Sequence, residues 1–116
     1  MIVLPHVAHN RLLVALPPRQ LRRLAPDLQR VECHAGQVLA DVDRPLDDIF
    51  FPETAVISVV AVYEDGGIIE MATIGREGCT GAQAVFGARV SPSRLLVQIP
   101  GVATRMPRDV FMVSVS

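Results

Sequence analysis

Residues 56–78 read VISVVAVYEDGGIIEMATIGREG, and this stretch decides the fold. Seven of its first eight positions are apolar, and most are β-branched, on both alternating faces, the pattern of a central, covered strand. Glu64-Asp65-Gly66-Gly67 follows, and glycine supplies the positive φ that a tight hairpin turn demands. Ile68 then begins a return strand that runs to Ile74. After it the texture changes. Gly75-Arg76-Glu77-Gly78 opens a segment of small residues and glycines that lasts to Gly87, in which residues 82–86 have room for about one helical turn.

Upstream of this hairpin the apolar period is two. Val31, Cys33 and Ala35 alternate with Glu32 and His34, as a half-buried strand should, and Gly36 breaks the run. Residues 37–41 form a further short strand, residues 41–45 a turn, and residues 48–51 another strand ended by Pro52. Downstream, residues 94–99 read as a strand, Pro100-Gly101 as a tight turn, and residues 102–106 as its hairpin partner. Pro107 offers a helix start, but residues 110–116 are too β-branched for the pattern to settle one. Many short strands with frequent turn signals predict a β-sandwich or barrel.

The N-terminal quarter has a helical period instead. Asn10 is a good N-cap, Leu12, Leu13 and Leu16 make an apolar stripe, and Pro17-Pro18 must stop that helix. A second helix starts at Pro18, with Leu21, Leu24 and Leu28 inward and Arg19, Arg22 and Arg23 facing water.

Composition narrows the functions. The chain has 116 residues, half of them hydrophobic, which suits one packed domain and excludes disorder over most of its length. Aromatics are 4% and tryptophan is absent, so the core is aliphatic. Eleven basic residues, all arginine, stand against twelve acidic ones, a balance that does not suit a phosphate-neutralising DNA surface. No apolar run approaches the roughly 20 residues of a membrane span, and Met1-Ile2-Val3-Leu4-Pro5-His6 lacks the features of a secretory signal. With Cys33 and Cys79 far apart, reduced thiols and a cytoplasmic location are expected.

Catalytic patterns are missing. His6, His9 and His34 form no metal-binding pattern, there is no nucleophile elbow, and Asp41, Asp43, Asp47, Asp48, Glu64 and Asp65 fall in turns where carboxylates are ordinary. Two separated cysteines cannot hold an iron–sulfur cluster. We therefore expect no enzyme, no catalytic residue and no metal site. The unusual feature is the glycine-led segment. Consecutive amides in a glycine turn before a helix make an anion-binding concavity. There Glu77 could accept from hydroxyls, while Arg94 or Arg76 could pair with a phosphate.

The order of these pieces resembles the cyclic nucleotide-binding domain, and more narrowly the sensor domain of Crp/Fnr-type bacterial transcription regulators. The similar stretches are Asn10-Arg11-Leu12-Leu13 with Leu16-Pro17, Leu24-Ala25-Pro26 with Leu28, and Gly36-Gln37-Val38-Leu39. They continue with Asp48-Ile49-Phe50-Phe51-Pro52, Val59-Val60-Ala61-Val62-Tyr63-Glu64-Asp65-Gly66 and Ile74-Gly75-Arg76-Glu77-Gly78. The resemblance runs from about residue 10 to about residue 108. It implies a mainly β chain, a double-stranded β-helix jelly roll with short N-terminal helices. A single domain is then expected over residues 1–116: helical lead-in from about 8 to 28, β-roll from about 30 to 106, and the start of a connecting segment from about 107 to 116.

It also implies a ligand site. Such cassettes carry a Gly-Glu pair whose Glu holds a ribose hydroxyl, and an Arg followed by Ser or Thr that holds the cyclic phosphate. Gly75, Glu77, Gly78 and Arg94 match best, although Arg76 separates Gly75 from Glu77 and Leu95 stands where the hydroxyl belongs. The expected effector is therefore a cyclic nucleotide, held weakly, or another anionic metabolite. Asp43 and Ala55 stand at turn positions where the family shows glycine; Asp adopts such geometry readily, so only the turn at Ala55 should be reshaped. The implied partners are a small-molecule effector and DNA only through a C-terminal domain that this chain does not contain, while the segment after the roll is expected either to pair with a second copy of the chain or to fold back on the roll. The alternative is a ligand-free structural or dimerisation module with the same jelly roll.

Overall fold

The computed structural model describes residues 10–82, residue 84 and residues 87–115. Two short helices come first, α1 (Arg11–Val14) and α2 (Pro18–Leu24), followed by a 3₁₀ turn over Ala25–Asp27. Seven strands then follow: β1 (Gln29–Cys33), β2 (Val38–Ala40), β3 (Asp48–Pro52), β4 (Val56–Val62), β5 (Ile68–Ile74), β6 (Arg94–Ile99) and β7 (Gly101–Pro107). A last helix, α3 (Arg108–Val115), closes the described chain. The strands form two antiparallel sheets, one ordered β1-β7-β3 and the other β2-β6-β4-β5.

Strand alternation builds two cores. Phe50, Cys33 and Ala103 of the three-stranded sheet meet Ile57, Leu95 and Val97 of the four-stranded sheet. The opposite face of the three-stranded sheet presents Ile49, Phe51 and Met106 to Leu13, Leu21, Leu24 and Phe111 from the helices. Ile49, Phe50 and Phe51 are therefore all buried, because β3 is covered on both faces. Strand β4 is central in its sheet as expected, yet Val59, Ala61 and Val62 are only half-buried. The strand covered on both sides is β3 rather than β4.

The hairpin at residues 64–67 forms as read: Gly66 has φ +87°, its N–H donates to the Tyr63 carbonyl, and Tyr63 N–H donates to the Gly67 carbonyl. Asp43 takes a left-handed φ of 60°, while Ala55 is buried outside that region.

One further expectation needs correction. Strands β6 and β7 are not a hairpin pair, since β6 joins the four-stranded sheet and β7 the three-stranded one. Between them the chain crosses from sheet to sheet, and the Val102 carbonyl accepts from the amides of Glu53, Thr54 and Ala55. Gly101 permits this approach: a Cβ there would sit 2.6 Å from the Ala55 nitrogen. A turn dipeptide alone does not say which sheet the next strand joins. The C-terminal segment, which the sequence pattern leaves open, is helical despite its β-branched residues. Burial of Phe111 against the Phe51 ring, with centroids 6.5 Å apart, outweighs the weak intrinsic propensity.

Candidate functional site

The glycine-led segment is held by the elements around it. Asn10, fully buried, caps α1 by accepting from the amides of Leu12 and Leu13. Its Nδ2 donates to the carbonyls of Pro52 at 2.7 Å and Gly78 at 3.0 Å, so one side chain joins the helices, β3 and the glycine turn. Arg11 N–H donates to the Arg76 carbonyl at 2.7 Å. Further on, Thr80 exchanges two hydrogen bonds with the Phe50 backbone.

Residues 75–78 form a tight turn in which Gly78 N–H donates to the Gly75 carbonyl. Glu77 folds back on this turn, its Oε1 accepting from the Gly75 amide at 3.2 Å. Its own amide, then that of Gly75, holds the carboxyl below the usual glutamate range, with Arg11 and Arg76 adding to the effect. The amides that would face an external anion are thus engaged by the chain's own carboxylate.

A second glycine lies deeper. Gly81 has φ +71° and packs so closely that a Cβ would stand 2.6 Å from the Ile49 Cδ1. A helical turn begins there, with Ala84 N–H donating to the Gly81 carbonyl. Of the turn expected over residues 82–86, Gln83, Val85 and Phe86 lie outside the described residues, as do His6 and His9 at the N-terminus.

Arg94 begins β6 opposite Val60 of β4, and its Nε donates to Asp41 Oδ1 at 3.0 Å. The Arg94 hydrogen bond is the main cause that holds the Asp41 carboxyl below its ordinary value, and the Val42 amide reinforces it. Leu95, the residue after it, is buried between the sheets. The structure thus gives Glu77 and Arg94 separate partners. Sequence reading treated Asp41 as an ordinary turn carboxylate. The signal for its role was the register: Ala40 pairs with Leu95, which sets Asp41, just past the end of β2, beside Arg94.

Sequence reading also passed over Glu53. Its side chain is only 1% exposed, and Oε2 accepts from Arg30 Nε at 3.3 Å and Thr104 Oγ1 at 3.2 Å. Its Oε1 has no partner among the described residues. Both cysteines are free; burial raises the thiol of each, which disfavours the thiolate a metal would need. Among the described residues no three His, Cys, Asp or Glu side chains converge as a metal site, and no helix is long and apolar enough to cross a membrane.

No protein-family model and no curated protein matches this chain. Solved structures do. A regulatory subunit of a cAMP-independent protein kinase A from Trypanosoma brucei, in a mutant bound to cAMP, superposes with a TM-score of 0.82 at 14% identity, over 96% of this chain and 41% of that one. The sensor domain of the transcriptional regulator DNR from Pseudomonas aeruginosa matches with a TM-score of 0.80 at 12% identity, covering 96% of this chain and 75% of that one. A cyclic nucleotide-binding-like protein from Brucella abortus gives 0.70 at 20% identity, over 96% and 95%. The chain spans about two fifths of the kinase subunit's length. At these identities the likeness is one of fold, and the fold is the cyclic nucleotide-binding jelly roll.

Proposed function

We propose that this chain is an effector-sensing regulatory domain of the Crp/Fnr kind, acting in the cytoplasm, whose site is the turn at residues 75–78 together with Arg94. Its effector is a small anion; a cyclic nucleotide is taken weakly or not at all. The observation that carries this reading is the Asp41–Arg94 ion pair. A cyclic phosphate would have to displace Asp41 from Arg94, and the neighbouring Leu95, packed in the core, has no hydroxyl to help. Losing one hydrogen bond to a charged group costs on the order of 1.5–3 kcal/mol, roughly a tenfold to hundredfold change in affinity. DNA recognition would belong to a further domain, since this chain's net charge is −1.

A second reading adds the Glu77 contact to the same ion pair. Glu77 already engages the Gly75 amide and Asp41 already engages Arg94 Nε, so both anion-receiving elements have a partner within the chain. That favours a ligand-free module that serves in assembly. Calorimetric titration of cyclic AMP and cyclic GMP into the domain and its Arg94→Ala variant tests the first reading. Weak binding that disappears with Arg94 is expected. Sub-micromolar binding, or binding indifferent to the change, would overturn it. A thermal-shift panel of anionic metabolites separates the two readings, because a ligand that binds only the folded state must raise the melting temperature. Silence across that panel selects the assembly module.

A further inference from the structure

A pocket lies away from the turn at residues 75–78. It has a volume of about 280 Å³ and is lined by Pro45, Leu46, Asp47, Arg89, Arg108 and Asp109 among others. Three separate segments meet there: the β2–β3 connection, the residues just after the glycine-led segment, and the first turn of α3. Backbone bonds lace them together, from Arg108 N–H to the Asp47 carbonyl at 2.8 Å and from Leu46 N–H to the Arg89 carbonyl at 2.8 Å.

Arg108 is the least exposed charged wall, its side chain 13% exposed. Nε donates to the Ala88 carbonyl at 3.2 Å, Nη1 reaches Asp109 Oδ1 only at 3.5 Å, and Nη2 finds no acceptor among the described residues. A guanidinium carries five donors, so those not bonded within the chain are available to a ligand in this pocket. Arg89 adds a second positive charge, while Asp47 and Asp109 supply two negative ones. The lining is therefore neutral overall but holds both signs, with Pro45 and Leu46 as apolar wall. A simple anion would meet two carboxylates, and a simple cation two guanidiniums.

We propose that this pocket binds a small zwitterion of the α-amino-acid class. The ligand's carboxylate sits on Arg108 and Arg89, where guanidinium geometry allows two parallel hydrogen bonds. Its ammonium faces Asp47 and Asp109. The volume falls below the roughly 300–1,000 Å³ of clefts that take drug-sized ligands, in keeping with so compact a molecule. By bridging the three segments, the ligand fixes the start of α3 against the residues that follow the glycine-led segment. This site is independent of Arg94 and of the reading given above.

The test is calorimetric titration of the protein amino acids one by one, beside acetate, methylammonium and inorganic phosphate. At least one amino acid binds, and none of the three single-charge probes does. Because Arg108 also holds the Ala88 carbonyl, the exposed residues carry the mutational arm: Arg89→Ala and Asp47→Asn each weaken binding on the order of tenfold. Arg94→Ala leaves it unchanged. The proposal is overturned if no amino acid binds more tightly than about 1 mM, if acetate or phosphate binds equally well, or if Arg89→Ala has no effect.

Discussion

Asp41 Oδ1 accepts a hydrogen bond from Arg94 Nε at 3.0 Å, which joins the end of β2 to the start of β6 and takes up the guanidinium expected to serve a ligand. The pair is partly exposed on both sides, so solvent screening keeps its contribution to stability small. Its sign is nevertheless fixed. The folded carboxyl titrates below the ordinary aspartate value of 3.8, so the pair stabilises the fold above that value. The gain is lost as pH falls through the depressed folded value. Urea unfolding should show Asp41→Asn less stable than the parent at neutral pH, with the gap closing under acid and in about 1 M salt. A gap that widens on acidification would refute this assignment.

Asn10 is the most connected polar side chain at the site, with two bonds accepted from α1 and two donated to Pro52 and Gly78. Losing an N-cap costs about 1 kcal/mol, and leaving buried carbonyls unpaired adds about 1–3 kcal/mol. Asn10→Ala should therefore destabilise by about 2–4 kcal/mol in chemical denaturation. Asn10→Asp keeps the cap but sets a carboxylate against two carbonyls, and should recover little of the loss. Near-full recovery by Asp would mean that capping alone matters.

The fold was legible because its signals are local. The turn at residues 64–67, the N-cap at Asn10 and the left-handed Asp43 each depend on a few neighbouring residues, and each appears as read. What depends on distant partners was not legible. Whether β7 pairs with β6 or with β1 and β3 turns on the close approach of Gly101 to residues 54–55, some 45 positions away, which no periodicity encodes. Helix α3 follows from the Phe51–Phe111 contact rather than from propensity. At the site, residue types suggested an anion, but only the register of β2 against β6 shows that Asp41 reaches Arg94 first.

Glu53 carries a stability prediction of its own. Its carboxylate is buried, and Arg30 is its counter-charge, while Thr104 supplies one further donor. Arg30 is half-exposed, so the pair lies between the surface and interior limits. Removing it strands the carboxylate with a single neutral donor, and Arg30→Gln should cost about 1–3 kcal/mol. Arg22→Gln, on the exposed face of α2, should fall within about 0.5 kcal/mol of the parent. Paired urea titrations of the two variants decide it, and equal costs would mean that Glu53 does not depend on Arg30.

Helix α3 has eight residues, too few to persist alone in water, where isolated helices shorter than about 12–15 residues are marginal. It is held by Phe111, which packs with Phe51, Leu21, Leu24 and Met106, and by the half-buried Val110 and Met112. Hydrogen bonds from Gln20 to the Ser114 carbonyl and from Arg108 to the Asp47 and Ala88 carbonyls tie its two ends. Phe111→Ala should therefore cost about 3–5 kcal/mol, the range for emptying an aromatic site in a packed core. Much of that loss should appear locally, as α3 leaving the roll. Limited proteolysis should then cut within residues 108–115 of the variant under conditions where the parent resists. Val14→Ala, on the exposed side of α1, is the control and should leave both stability and cleavage unchanged. If Phe111→Ala keeps α3 protected at every protein concentration, contacts other than this aromatic pair secure the helix. If protection returns only at high concentration, a second copy of the chain secures it instead.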